Sequence, residues 1–194
     1  MARLLVVASG LLVAAGLGHA GSARAQQFDL PPSARSMIVG ETNAYRRQKG
    51  LPALSENDAA SRVAQAYAAY LVETKKTGHG ADGRSPRKRL TDAGIEVCKV
   101  WENWYGFWTR PKRASVSAAM MRAMRFWRGS PGHERALRSG STEIGVGVAG
   151  WKHGEQWHYV EIQMFLDTSC LARPAPADAE GPPPLPDRNP ERSQ

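Results

Sequence analysis

The chain has 194 residues, 42% of them hydrophobic and 23% charged, and its formal net charge is +8. These values are ordinary for a globular protein, so they exclude a wholly disordered chain, a collagen-like repeat and a coiled coil. Two cysteines are too few for a cysteine-rich scaffold or a four-thiolate zinc site. The length predicts one domain with room for tails.

Residues 1–25 have the pattern of a signal peptide. Arg3 provides the positive start, residues 4–17 are mostly apolar, and residues 23–25 (Ala-Arg-Ala) place small side chains at the cleavage positions. An uncleaved anchor helix is the alternative, but the apolar stretch is short for a membrane span. We therefore predict cleavage after Ala25, no transmembrane span in the mature chain, and export to a periplasm or the cell exterior. Nucleic acid is not an expected partner there.

The spacing of apolar residues predicts three long helices and a short one. The first covers residues 33–49, with Ser33 as its cap, and the second has Asn57 or Asp58 as its cap and ends near residues 75–78. A short helix is predicted over residues 86–93, and the third long helix over residues 116–128.

Strands are predicted where the apolar residues alternate instead. Residues 95–105 place Trp101, Asn103 and Tyr105 on one face and Glu102 on the other. Residues 143–149 and 157–166 predict an antiparallel hairpin with a longer loop containing His153-Gly154. Helices and strands do not alternate regularly, so a small antiparallel sheet packed by helices is expected rather than a doubly wound parallel sheet.

The glycines of residues 145–150 have the spacing of a dinucleotide-binding fingerprint. No helix follows them, and an exported protein is an unsuitable place for a nicotinamide cofactor. We therefore expect no nucleotide. The glycines are better explained as thinning a strand where another element packs closely.

A dense aromatic block comprises Trp101, Trp104, Tyr105, Phe107 and Trp108. Basic residues flank it at positions 84–89 and 110–113. Most of these rings are expected in the core. Phe107 and Trp108, at the end of the predicted strand, are the candidates for an exposed surface that faces a ligand or a membrane.

Cys98 and Cys170 are an even pair in an oxidising compartment, so we predict one disulfide between them. Metal binding by the pair is the alternative. Residues 171–194 form a proline-rich tail without an aromatic residue, predicted to be disordered and partly polyproline II. We interpret it as a solvated tail, and the alternative is a ligand for an envelope partner.

Several segments occur in an order that is similar to a known family. They are NAYR (43–46), GLPAL (50–54), GH (78–79), WEN (101–103), WRGSPGH (127–133) and EIGVG (143–147). The set resembles the CAP superfamily (SCP/TAPS) of cysteine-rich secretory proteins, antigen 5 and plant pathogenesis-related 1 proteins, with its short bacterial members the closest fit. The resemblance implies a CAP domain over residues 36–170, after a linker over residues 26–35. The implied fold class is α+β, an α-β-α sandwich with a small, mainly antiparallel central sheet.

The resemblance also implies a central cleft in which two histidines and two acids converge. Matched by motif, the histidines are His79 and His133 and the first acid is Glu102, with Asn103 beside it. The position of the second acid holds Ser130. Zinc or another divalent metal could bind the two histidines. The alternative is a hydrogen-bonded polar cluster in which Glu102 orients a histidine.

By analogy with this family, we expect a non-catalytic, monomeric binding module for a lipid, a sterol or another envelope ligand. The alternative is a metal-dependent, peptidase-like hydrolase that uses His79, His133 and Glu102. No residue is a convincing nucleophile for it, because Ser130 beside His133 is not a triad without an orienting acid. A secreted protein-interaction module with a cationic surface is the further alternative.

Overall fold

The structure is a computed structural model that describes residues 26–28, 30–110 and 112–171. The predicted signal peptide and residues 172–194 of the predicted tail lie outside the described residues. Ten elements follow one another in the described part: β1 (Gln26–Phe28), α1 (Pro32–Gln48), β2 (Ser55–Glu56), α2 (Asp58–Thr74), α3 (Pro86–Asp92), β3 (Lys99–Thr109), α4 (Val116–Gly129), α5 (Pro131–Leu137), β4 (Glu143–His153) and β5 (Gln156–Asp167).

The fold is the predicted α-β-α sandwich. Its sheet has the strand order β1-β4-β5-β3, and β2 adds a short parallel pairing to the start of β4. The other pairings are antiparallel, so the sheet is mixed but mainly antiparallel. Helices α2 and α3 cover one face, and α1, α4 and α5 cover the other. Because β3 is an edge strand, both helical layers approach its residues.

Two glycines of β4 let α2 lie directly on the sheet. A Cβ atom at Gly147 would lie 2.2 Å from the carbonyl carbon of Ala64, and one at Gly145 would lie 2.5 Å from that of Ala60. The prediction that these glycines thin the strand is therefore confirmed. This close approach fixes the height of α2 above the sheet, and α2 leads into the loop that carries His79.

On the opposite face, Arg46 ties α1 to two loops. It is 1% exposed. Its guanidinium donates hydrogen bonds to the carbonyl oxygens of Pro52 and Leu137, each at 2.9 Å. Asn43 exchanges two hydrogen bonds with the backbone of Leu54, at 3.0 and 2.8 Å. Side chains of the NAYR segment therefore hydrogen-bond to the backbone of the GLPAL segment, which explains why the two occur together.

The bounds of β3, β4 and β5 differ from the predicted ones. β4 extends to His153 and β5 begins at Gln156, so a two-residue turn replaces the predicted longer loop. Gly154 takes a φ of +57° in this turn, a value that glycine adopts without strain. β3 begins at Lys99 rather than at residue 95, and the Arg87 guanidinium donates to the carbonyl oxygens of residues 97–98 just before it.

The helix caps and the shortest elements agree only in part with the sequence-based predictions. The sequence predicts Ser33 as the cap of α1, but Pro31 holds the cap position and makes no side-chain hydrogen bond there. Asn57 caps α2 as predicted, with its side chain accepting from the Ala60 N–H at 2.9 Å. The sequence analysis did not predict α5, β1 and β2, because segments of 2–7 residues are too short to establish a period.

Cys98 and Cys170 form the predicted disulfide, with their Cα atoms 5.9 Å apart. It links the residue that precedes β3 to the segment that follows β5. Among the helices of the described residues, none has the length and apolar character needed to cross a membrane.

Candidate functional site

His79 lies in the loop between α2 and α3, and its side chain is about half exposed. Tyr67 of α2 holds this loop, because its hydroxyl donates to the Gly78 carbonyl and accepts from the Ala81 N–H. Nδ1 of His79 lies 2.8 Å from Oε1 of Glu102. A carboxylate accepts hydrogen bonds, so Nδ1 is the donor and Nε2 points away from Glu102.

Arg89 of α3 binds the Glu102 oxygen that His79 does not contact. Its Nη2 donates to Oε2 of Glu102 at 2.7 Å, and its Nη1 donates to Oδ1 of Asp82 at 2.9 Å. The guanidinium carbon lies 3.6 Å from the centre of the Tyr67 ring. All three charged side chains are at most 5% exposed. Both oxygens of Glu102 are therefore engaged, one by His79 and one by a buried cation.

His133 reaches the same edge of the sheet from the other helical layer. It lies in the first turn of α5, and its Nδ1 is 2.8 Å from Oγ of Ser130, the cap residue of that helix. Asn103 of β3 donates to the carbonyl oxygen of His133 at 3.3 Å. The rings of His133 and Phe126 are 5.1 Å apart, and Phe126 is 45% exposed.

A chain of hydrogen bonds positions Asn103 within the core. Its Nδ2 also donates to Gln163 at 3.1 Å, and Gln163 in turn donates to the Thr42 hydroxyl at 2.7 Å. Thr42 donates to the Ile38 carbonyl of α1 at 2.7 Å. Because buried polar groups are costly unless they are hydrogen-bonded, this chain fixes α1, β5 and β3 relative to one another.

The charges of the two histidines interact across β3. The hydrogen bond to Glu102 raises the pKa of His79 above its ordinary value. Burial, and after it the charge on His79, lowers the pKa of His133. At a pH between the two values, His79 is a cation while His133 is neutral. His79 stabilises the fold below its unfolded pKa of about 6.5, and that contribution is lost as the pH rises through its raised folded value.

The structure thus gathers the sequence-derived residues into two groups at the edge of the sheet: His79 with Glu102, and His133 with Ser130 and Asn103. The sequence analysis missed Arg89, Tyr67 and Asp82. Arg89 belongs to a basic run in which its neighbours are exposed, and the spacing of that run does not distinguish the buried guanidinium.

A metal ion at this site would have to bind Nε2 of His79 and of His133. Glu102 is not a free ligand, because both of its oxygens already accept hydrogen bonds. Within residues 26–28, 30–110 and 112–171, no three His, Cys, Asp or Glu side chains are arranged to hold a metal ion. A catalytic zinc has three protein ligands, so the described residues do not fit a resident catalytic zinc. A weaker two-imidazole site stays a prediction.

Ser130 and His133 do not complete a nucleophilic triad. In a triad the second imidazole nitrogen donates to a carboxylate, which fixes the tautomer of the base. Nε2 of His133 has no hydrogen-bond partner in the described part of the chain, and Nδ1 is already bonded to Ser130. The arrangement is therefore better suited to hold a ligand than to attack one.

Comparisons with known proteins agree with this architecture. A model of the cysteine-rich secretory protein family, CAP, matches residues 39–163. An outer surface protein of Borrelia burgdorferi is similar with a TM-score of 0.59 and 19% identity, over 74% of this chain and 100% of that one. An extracellular protein of Bacillus anthracis that contains an SCP domain has a TM-score of 0.54 and 19% identity, over 72% of this chain but 45% of its own length. At such identities the likeness shows the fold alone. No curated protein matches the chain.

Proposed function

The chain belongs to the cysteine-rich secretory protein (CAP) family, and from that premise we propose that it is an exported, non-catalytic binding module. Its ligand is a lipid or another envelope molecule whose anionic group binds between His79 and His133. One observation carries the proposal. Nδ1 of His79 lies 2.8 Å from Glu102, and Nδ1 of His133 lies 2.8 Å from Ser130, whereas Nε2 of each imidazole lacks a hydrogen-bond partner among the described residues. Nε2 of protonated His79 donates, and Nε2 of neutral His133 donates when its Nδ1 accepts from the Ser130 hydroxyl, so both suit a phosphate or carboxylate oxygen.

Exposed aromatic rings beside the imidazoles suit the apolar part of such a ligand. Phe126, which contacts His133, is 45% exposed, and Trp101 is 44% exposed. The sequence analysis expects Trp101 in the core, but that expectation is wrong, because β3 is an edge strand whose outer side is only partly covered. Arg122 and Arg125 are exposed on α4 near Phe126 and add positive charge. Together these groups favour an anionic amphiphile.

Three features support export. Residues 1–25 have the pattern of a signal peptide. The family is one of secretory proteins. The Cys98–Cys170 disulfide belongs to an oxidising compartment such as a periplasm or the cell exterior.

We expect the mature protein to bind vesicles that contain phosphatidylglycerol, and not vesicles of phosphatidylcholine alone, at about pH 6. His79→Ala is expected to weaken binding about tenfold, which corresponds to about 1.4 kcal/mol, because it removes the cationic imidazole. Binding by the wild type is expected to fall as the pH rises through the raised pKa of His79. Co-sedimentation with vesicles measures all three results.

His153→Ala is the matched control, since His153 is exposed at the end of β4. It is expected to bind as the wild type does. Inorganic phosphate is added as a competitor to test whether the protein recognises the phosphate group alone or the intact lipid. Phosphate is expected to displace the protein from vesicles only if the protein recognises the anion alone. An equal loss in His153→Ala and His79→Ala, or equal binding to both kinds of vesicle, would contradict the proposal.

The second candidate is a metal-dependent hydrolase that uses His79, His133 and Glu102. The opposite pKa shifts of the two imidazoles favour it, but a metal ion would have only these two imidazoles as ligands, because both oxygens of Glu102 already accept hydrogen bonds. It requires stoichiometric zinc binding that both His79→Ala and His133→Ala abolish, together with peptide hydrolysis that a chelator stops. Calorimetric titration with zinc and a generic peptide substrate measure these results. Zinc binding without hydrolysis would reject the hydrolase and keep the binding module.

A further inference from the structure

A second surface, separate from the site of His79 and His133, lies on the face of the sheet that α2 covers. It is a groove of about 180 Å³ lined mainly by Trp104, Trp108 and Trp151, and we call it the tryptophan groove. Trp151 stacks on His158 with ring centres 3.8 Å apart. Trp108 is 56% exposed, more than any other large apolar side chain in the described residues. The sequence predicts exposed rings at Phe107 and Trp108. The structure confirms Trp108, but Phe107 is partly buried and packs against the core.

Gly106 forms part of the wall of the tryptophan groove. A Cβ atom at this position would lie 3.1 Å from the Trp104 ring, so glycine leaves room for that ring to lie flat along the wall. The volume is below the range of about 300–1,000 Å³ that small-molecule sites occupy. It therefore favours an extended chain that inserts one or two small groups over a compact ligand.

Two hydrogen-bond donors in these walls have no acceptor. Nε1 of Trp104 and Nε1 of Trp151 are shielded from solvent, and neither has a hydrogen-bond partner among the described residues. A buried donor left without an acceptor is unfavourable, because it has lost its hydrogen bond to water. An occupant of the groove could satisfy them only if the indole rings rotate to expose Nε1, and an extended peptide segment supplies the carbonyl acceptors that such a rotation needs.

These features match the way that proteins bind polyproline II segments. Such segments insert proline rings between aromatic side chains, and their carbonyl oxygens are free because the helix makes no internal hydrogen bonds. This chain contains such a segment in Pro-Pro-Pro-Leu-Pro at residues 182–186. We propose that residues 182–186 bind in the tryptophan groove of the same chain as a polyproline II helix.

The length of chain between the two parts allows this contact. The described residues end at Leu171, next to the disulfide at the start of β3. The tryptophan groove lies near Gly106, seven residues along β3 from Lys99, a distance of about 23 Å at about 3.3 Å per strand residue. The eleven residues from Leu171 to Pro182 span up to about 36 Å when extended.

Charge also fits this occupant. Lys75 and Lys76 lie on the rim of the tryptophan groove. Asp187 directly follows the proline segment, so its carboxylate would reach the rim when the prolines are bound. Lys75 is exposed, so it can reach an acidic group of a bound segment.

The test uses the full mature chain and a variant in which Pro182→Ala, Pro183→Ala, Pro184→Ala and Pro186→Ala are combined. A synthetic peptide of residues 180–190 has no aromatic residue, so changes in tryptophan fluorescence report on the protein alone. The peptide is expected to bind the variant roughly tenfold more tightly than the wild type, whose tethered segment competes at an effective concentration on the order of millimolar. The indole N–H resonances of Trp104 and Trp151 are expected to differ between the two proteins.

Trp108→Ala, added to the proline variant, is expected to weaken peptide binding at least about tenfold. Trp101→Ala is the matched control, since this exposed tryptophan of the same strand lies outside the groove. The proposal is overturned if the peptide does not bind the proline variant, or if Trp101→Ala and Trp108→Ala weaken binding equally. It is also overturned if the resonance differences depend on protein concentration, because that would indicate binding between copies of the chain. It is overturned as well if Trp108→Ala abolishes vesicle binding and leaves peptide binding unchanged. The histidine variants leave these results unchanged, so this proposal and the proposed function fail separately.

Discussion

Arg89→Met is expected to lower the free energy of unfolding by about 3–5 kcal/mol. The Arg89 guanidinium lies 2.7 Å from Glu102 and 2.9 Å from Asp82. Without this cation the Glu102 carboxylate stays buried with no other permanent positive charge bonded to it. Methionine keeps much of the side-chain volume, so the loss reports mainly the uncompensated charge. Urea denaturation followed by tryptophan fluorescence measures it.

Arg62→Met is the matched control for this measurement. Arg62 is exposed on α2, so its loss is expected to change the free energy of unfolding by less than about 0.5 kcal/mol. Adding Glu102→Gln to Arg89→Met is expected to recover part of the loss, because it removes the stranded negative charge. A cost below about 1 kcal/mol for Arg89→Met, or no recovery in the double variant, would mean that water solvates this pair and that the network is not buried.

The same variants connect this network to the candidate site. The hydrogen bond to Glu102 raises the pKa of His79, whereas the charge on Arg89 lowers it. Glu102→Gln is therefore expected to lower the pKa of His79, and Arg89→Met to raise it further, in NMR titrations of the His79 ring. A purely structural role for Arg89 would not move this pKa in a folded variant. The result would therefore identify Arg89 as a positioning residue for the cleft.

The long elements of this fold are predictable because their burial pattern repeats. α2 and α4 each turn one apolar stripe to the sheet. β4 and β5 alternate in sequence, and β4 contains the glycines that the close approach of α2 requires. The edges of the elements are less predictable, because they depend on contacts from elsewhere in the chain. Arg87, for example, donates hydrogen bonds to the backbone just before β3, and the sequence around residues 95–99 contains no pattern that predicts this contact.

The candidate site divides in the same way. His79, Glu102 and His133 can be found from the order of short segments, although 23 and 31 residues separate them. Arg89 cannot be found in this way, because its burial depends on the ring of Tyr67 and on a carboxylate thirteen residues later. The prediction that Trp101 is buried fails for a different reason. Alternation correctly assigns Trp101 to a face of β3, but the ring is exposed because β3 lies at the edge of the sheet.

Removal of the disulfide is expected to lower the free energy of unfolding by about 4 kcal/mol. The bond closes a loop between positions 72 residues apart, and opening it restores that conformational freedom to the unfolded chain. In the folded state it secures the start of β3, where the Cys98 N–H also donates to the Asp167 carbonyl at 2.8 Å. Glu102 and Asn103 follow on this strand, so fraying at that end would loosen the cleft first.

The combined variant Cys98→Ser and Cys170→Ser measures this effect in urea denaturation without a reductant. It is expected to match the reduced wild type, and a reductant is expected to leave it unchanged, which serves as the control for the reductant itself. Amide hydrogen exchange is expected to accelerate first in residues 99–103, because the remaining pairing with β5 is the main restraint on that end of the edge strand. A loss below about 1 kcal/mol would mean that the unfolded chain stays compact without the bond, so that closing the loop removes little entropy. In that case the position of Glu102 would depend on Arg89 rather than on the disulfide.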